Sequence, residues 1–182
     1  MGMMRTYPVL LMLLMLLVLP EKGDTAEQEW QVLETRYTRI LFVRGEDLLA
    51  FHRAVIFGPA AWNRSVADPD ADLEQILAQK IDAVFERAQV ILDMRGRFKK
   101  TAIRLHGDEA ALHAAHEAIY KRPCRVRAWY RYKTNTVHVN VRDVHAGMVA
   151  HELAHAIIDH YLVVKPPART AEILARYVDS HL

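Results

Sequence analysis

The chain has 182 residues, 52% of them hydrophobic and 25% charged, with a formal charge of +2. That length and balance suit one globular domain with its own core. They exclude the basic stripe or Arg-rich tail of a nucleic-acid binder, and no repeat or low-complexity tract interrupts the chain.

The N-terminus stands apart. MGMMRTYPVLLMLLMLLVLP carries one arginine, an apolar run from Val9 to Leu19 and then Pro20. The run is short for a bilayer span and reads as a secretory signal peptide over 1–26, with cleavage between Gly23 and Ala26. Asp24 fits that site poorly, so retention as a membrane anchor is the alternative. Either way the expectation is an exported protein, periplasmic or secreted, with residues 27–182 forming a single domain. Cys124 is the one cysteine, which rules out an internal disulfide and reads as a buried apolar residue.

After a polar start, Tyr37–Val43 reads as a strand and Gly45–Phe57 as an amphipathic helix. GPAAWNRSVADPD is a turn-rich connector. From Pro69 to about Met94 the apolar residues fall on a helical stripe, with Pro69 as a start signal. TAIRLHG alternates as a strand, and DEAALHAAHEAIYKR is a short helix stopped by Pro123. CRVRAWYRY and TVHVNV around Lys133-Thr134-Asn135 read as a β-hairpin. A helix from about Asp143 to Tyr161, the loop LVVKPPA and a last helix in RTAEILARYVDSHL complete the chain. The order predicts a mixed α+β fold, a small sheet with an antiparallel hairpin packed on helices.

AHELAH, residues 150–155, carries the chemistry. On a helix, His151 and His155 lie one turn apart on one face, so both ring nitrogens can reach one Zn2+ at about 2 Å. Glu152 is rotated off that stripe toward the open position, where a carboxylate acts as general base for a zinc-activated water. A catalytic zinc needs a third protein ligand. His160 points about 140° away from His155, and Asp159 sits a turn too far along. A metzincin needs a glycine and a histidine where this chain has Ile158 and Tyr161. Glu172, 17 residues past His155 and beyond Pro166-Pro167, can be folded back by a helical hairpin to give His, His, Glu.

HELAHAIID resembles the zinc helix of thermolysin-like peptidases. PARTAEILARYVDSHL resembles the downstream ligand segment of the gluzincins, with Glu172 at the ligand position and Leu174, Ala175 and Tyr177 at matching places around it. The resemblance runs from about Trp129 to the C-terminus. It implies a minimal zincin-like domain, an edge strand that aligns a peptide or protein substrate, His151, His155 and Glu172 as zinc ligands and Glu152 as base. The chain departs from that pattern at Ile173, where the family has glycine, and at Arg176, where an aspartate would hold a ligand histidine. Asp179 is a candidate replacement. His138, Tyr161, Tyr177 and His181 are candidates for steadying the oxyanion.

The functional expectation is therefore an exported zinc metallopeptidase. Its competitors are a catalytically silent zinc-binding scaffold and a zinc amidase acting on cell-wall peptide. The remaining features read as structure: His113, His116 and Glu117 as a solvated helix face, Arg125, Arg127 and Arg131 as solvent-facing, and Trp129, Tyr130 and Tyr132 as core or cross-strand pairs rather than a cleft lining.

Overall fold

The computed structural model describes residues 29–59 and 72–182. The expected signal segment and most of the turn-rich connector lie outside the described residues. No described helix is long and apolar enough to cross a membrane.

The architecture is mixed α+β, with five helices and one five-stranded sheet among the described residues. In chain order the elements are β1 (Gln31–Glu34), β2 (Thr38–Phe42), α1 (Gly45–Ala54), α2 (Leu73–Leu92), β3 (Thr101–His106), α3 (Glu109–Tyr120), β4 (Ala128–Arg131), β5 (Thr136–Asn140), α4 (Ala146–Tyr161) and α5 (Ala168–Ser180). The sheet order is β1-β2-β3-β5-β4. The three central strands run parallel and both edge strands antiparallel. The expected strands and helices are present within a few residues of their predicted ends, except that the predicted start at Pro69 lies outside the described residues and the described helix is capped by Asp72. β1 was not expected: QVLE is too short and polar to announce a strand, and one residue of it, Leu33, reaches the core.

Register divides the sheet into two chemically different faces. One row across it reads Leu33, Ile40, Ile103, Val137, Tyr130, and the next reads Val32, Leu41, Arg104, His138, Trp129. The first row faces the main core. There α2 contributes Leu77, Ile81, Val84, Phe85 and Ala88, while α4 contributes Val149, Ala150, Leu153 and Ile157. Each large side chain buried in this way is worth about 1.5–3 kcal/mol. Lys80 is fully buried among them, its ammonium donating to the His52 carbonyl at 2.9 Å. Burial pushes its pKa down to about 8.

The second face is covered in part by α3. There Leu112, Cys124 and Trp129 form a small separate cluster, with His116 edge-on to Trp129. So Cys124 is buried as expected, and Trp129 is core. His116 is buried too, which corrects the expectation of a wholly solvated face for α3.

The hairpin turns through a short 3-10 segment, Tyr132–Thr134, and closes at Asn135 with φ 47°. Asparagine is among the few residues that tolerate this left-handed backbone. Its side chain is also a cross-link. Oδ1 accepts from the Thr101 and Tyr130 hydroxyls, and Nδ2 donates to the Lys99 and Lys100 carbonyls. Through these bonds the start of β3 fixes the position of β4.

Candidate metal centre

Helix α4 is held in place by its sequence from end to end. His145 caps its N-terminus, accepting the Met148 N–H at 3.2 Å, which satisfies one of the free donors there. Its buried stripe presses on the sheet and α2, and Gly147 in its first turn lies against Asp179 of α5, where a side chain would collide. Helix α5 follows directly on Pro167 and turns Ala175 and Val178 inward. Glu172 lies three residues before Ala175, on the neighbouring part of the same face, and so is brought to α4.

The result brings three of the predicted residues together. One ligand atom from each of His151, His155 and Glu172 lies within 4.8 Å of the others. Glu172 Oε2 is 3.7 Å from His151 Nε2 and 3.5 Å from His155 Nε2. Ligand bonds of 2.0–2.1 Å in a tetrahedron place ligand atoms about 3.3 Å apart, so these separations need only a few tenths of an ångström of adjustment. The two rings stand at 77° to each other, centroids 5.0 Å apart. Two imidazoles and a carboxylate on partly exposed side chains are a donor set suited to a divalent ion with an open position.

The electrostatics agree with that fit. Burial, reinforced by the neighbouring His151, lowers the pKa of His155 and favours the neutral ring that ligation needs. Burial alone would raise the pKa of Glu172. The Arg176 bond and the two histidines outweigh it, and the carboxyl ends below its ordinary value. Arg176 Nε donates to Oε1 of Glu172 at 2.9 Å, which leaves Oε2 turned toward the histidines.

Glu152 is buried, 8% exposed, and lines a cavity of about 320 Å³ together with His151, His145, Met148, Asp179 and the segment Arg125–Ala128. Burial first, and the Glu172 charge second, push its pKa up to about 8; a backbone bond from Tyr130 pulls the other way. That bond follows from the strand register. Asn140 N–H donates to the Arg127 carbonyl, so the bonded pairs of the β4–β5 ladder fall at 127, 129 and 131. The backbone groups of Ala128 and Tyr130 therefore face the open edge of the sheet. The Tyr130 N–H is taken by the Glu152 carboxylate, and Ala128 lines the cavity beside it.

Other expected residues fall elsewhere. His138 is on the far face of the sheet, stacked on Trp129 with centroids 3.7 Å apart and hydrogen-bonded to His106 at 3.1 Å. Tyr161 packs on Phe98. His181 stacks on Tyr177 and bonds its carbonyl. Among the described residues none of these four hydrogen-bonds to the triad or to Glu152. Asp179 packs against Gly147 at the first turn of α4 and lines the cavity, without a hydrogen bond to either ligand histidine. Arg125 and Arg127 are exposed as expected but border the cavity, and Arg127 pairs with Asp143 at 3.1 Å. Tyr132 is exposed, with Lys165 over its ring, rather than in the core.

Two contributors were not foreseen. Arg176 stands four residues after Glu172, the ordinary spacing of a helical ion pair, and that spacing could have flagged it. The Tyr130 contribution is a backbone N–H, which no side-chain pattern announces.

No family model matches the chain, and neither the curated proteins nor the solved structures searched contain a match.

Proposed function

We propose that the chain is an exported zinc-dependent peptidase of gluzincin type, built on a minimal zincin-like domain. The observation that carries this reading is the convergence of His151, His155 and Glu172 from two helices, with Glu152 beside them at a cavity. His151, His155 and Glu172 would hold a Zn2+, which would supply Lewis-acid polarisation of a carbonyl and a water nucleophilic near neutral pH.

The chain's own residues do the rest. An extended peptide pairing along the edge strand β4, beside the cavity that Ala128 lines, would present a scissile carbonyl to the site by strand addition. Glu152, held by the Tyr130 N–H, accepts the proton of the attacking water and passes it to the departing amine. A dication at the three ligands would offset the Glu172 charge and favour the ionised form of Glu152. Arg176 holds Glu172 in its ligating orientation. Export rests on the apolar run from Val9 to Leu19 followed by a polar stretch.

Purified zinc-loaded protein offered a broad peptide library should give chelator-sensitive cleavage, and Glu152→Gln should abolish it while retaining zinc. An unchanged rate in that variant would sink the mechanism. One observation favours the silent-scaffold reading: among the described residues, neither ligand histidine has a hydrogen-bond partner on its second ring nitrogen, a support that catalytic zinc sites ordinarily have. The same library decides between them. Cell-wall peptide fragments included beside it test the amidase reading, since the zinc chemistry would be shared.

A further inference from the structure

The far face of the sheet carries a second cavity, of about 480 Å³, at the carboxyl ends of the parallel strands β2 and β3. Crevices at that end of parallel strands are habitual ligand sites in open α/β sheets, and the volume is within the ordinary range for small-molecule pockets. Its walls come from β3 and the turn after it, from the start of α1, from Trp30, and from Ala111, Ala114 and Ala115 of α3.

The charges in that wall are unevenly satisfied. Arg44 is engaged twice by Asp47, at 3.0 and 2.8 Å, and lies over Gly107, where any side chain would collide with it. Asp108 is engaged as the cap of α3, accepting the Ala111 N–H at 2.8 Å. His106 is buried against His138, and burial drives its pKa down to about 4, so it is neutral. Arg104 is different. Its guanidinium lies 4.3 Å over the Trp30 ring, its Nε is buried without a hydrogen-bond partner, and among the described residues no carboxylate pairs with it. A buried N–H without an acceptor is costly, and the cavity that Arg104 lines is where an acceptor can enter.

We propose that this cavity is a binding site for a small carboxylic acid with an apolar body, distinct from the metal centre and independent of the peptidase reading. The carboxylate is taken by Arg104, whose planar fork suits two oxygens, and the body lies against Trp30 and the three alanines of α3. A phosphate dianion is disfavoured, because Asp47 and Asp108 share the wall and together balance the charges of Arg44 and Arg104.

The test is titration of the full chain with benzoate, and separately with inorganic phosphate, following the Arg104 Nε–H and Trp30 indole N–H resonances. The expected result is a saturable benzoate shift of both. It should weaken at least ten-fold in Arg104→Gln, as loss of a charge-assisted bond predicts. It should disappear in Ala115→Leu, which fills the cavity from the surface of α3 and keeps the fold. The absence of a saturable shift in the unmodified protein overturns the proposal, as does a shift that survives Ala115→Leu. Phosphate saturating the same resonances at lower concentration than benzoate overturns the carboxylate assignment.

Discussion

Replacing Glu152 by glutamine should make the metal-free protein more stable at alkaline pH while removing the proposed catalytic base. In the metal-free chain the Glu152 pKa is raised from 4.5 to about 8, mainly by burial and then by the Glu172 charge. A raised carboxyl keeps its proton when folded over a range where the unfolded chain has lost it. The unfolded state then binds fewer protons, so stability falls as pH rises from about 4.5 to about 8. The full difference corresponds to at most about 5 kcal/mol. Local relaxation and water entry reduce such penalties, so about 2–3 kcal/mol is expected. Glutamine carries no charge at any pH and escapes the penalty. With chelator present, urea unfolding should find the two proteins nearly equal at pH 5 and the variant ahead by that amount at pH 8. Added Zn2+ should narrow the gap, because a dication at the triad stabilises the ionised carboxylate. Parallel stability curves for the two proteins from pH 5 to pH 8 would refute the reasoning.

Lys80→Met should gain about 1–3 kcal/mol at pH 7 by urea unfolding, since it removes a buried amine held by one hydrogen bond. The lowered Lys80 pKa also predicts that wild-type stability rises between pH 8 and 10.5, and the variant should lose that rise. Leu153→Ala, at a fully buried position on α4, should cost about 2–5 kcal/mol in the same assay. Asn135→Gly keeps the left-handed turn but deletes four hydrogen bonds. It should cost about 2–4 kcal/mol and lower cleavage by freeing β4, whereas a purely local loss would leave cleavage of any substrate unchanged.

What the sequence disclosed, it disclosed through period and spacing. The stripe of Leu77, Ile81, Val84, Phe85 and Ala88 announces α2 because a 3.6-residue period can be read without knowing its partner. The four-residue step from His151 to His155 places two ring nitrogens together by local geometry alone. Glu172 was within reach because two short-connected helices have few ways to pack. Long-range register was not within reach. Nothing local distinguishes the row of Val137 from the row of His138, so His138 stood as a candidate for the site until the sheet put it on the opposite face. β1 escaped notice because its burial is conferred by β2, not by its own composition. Asp179 and Arg176 show the same limit: both sit on the helix of Glu172, but which of them touches it depends on side-chain reach and on what already fills the space at Gly147.

The most direct measurement is metal content by elemental analysis on protein lacking residues 1–26, beside a Glu172→Ala variant. Convergence of His151, His155 and Glu172 predicts one zinc per chain in the parent and little or none in the variant after dialysis. Full zinc in both would place the third ligand elsewhere, and no zinc in either would contradict the account outright.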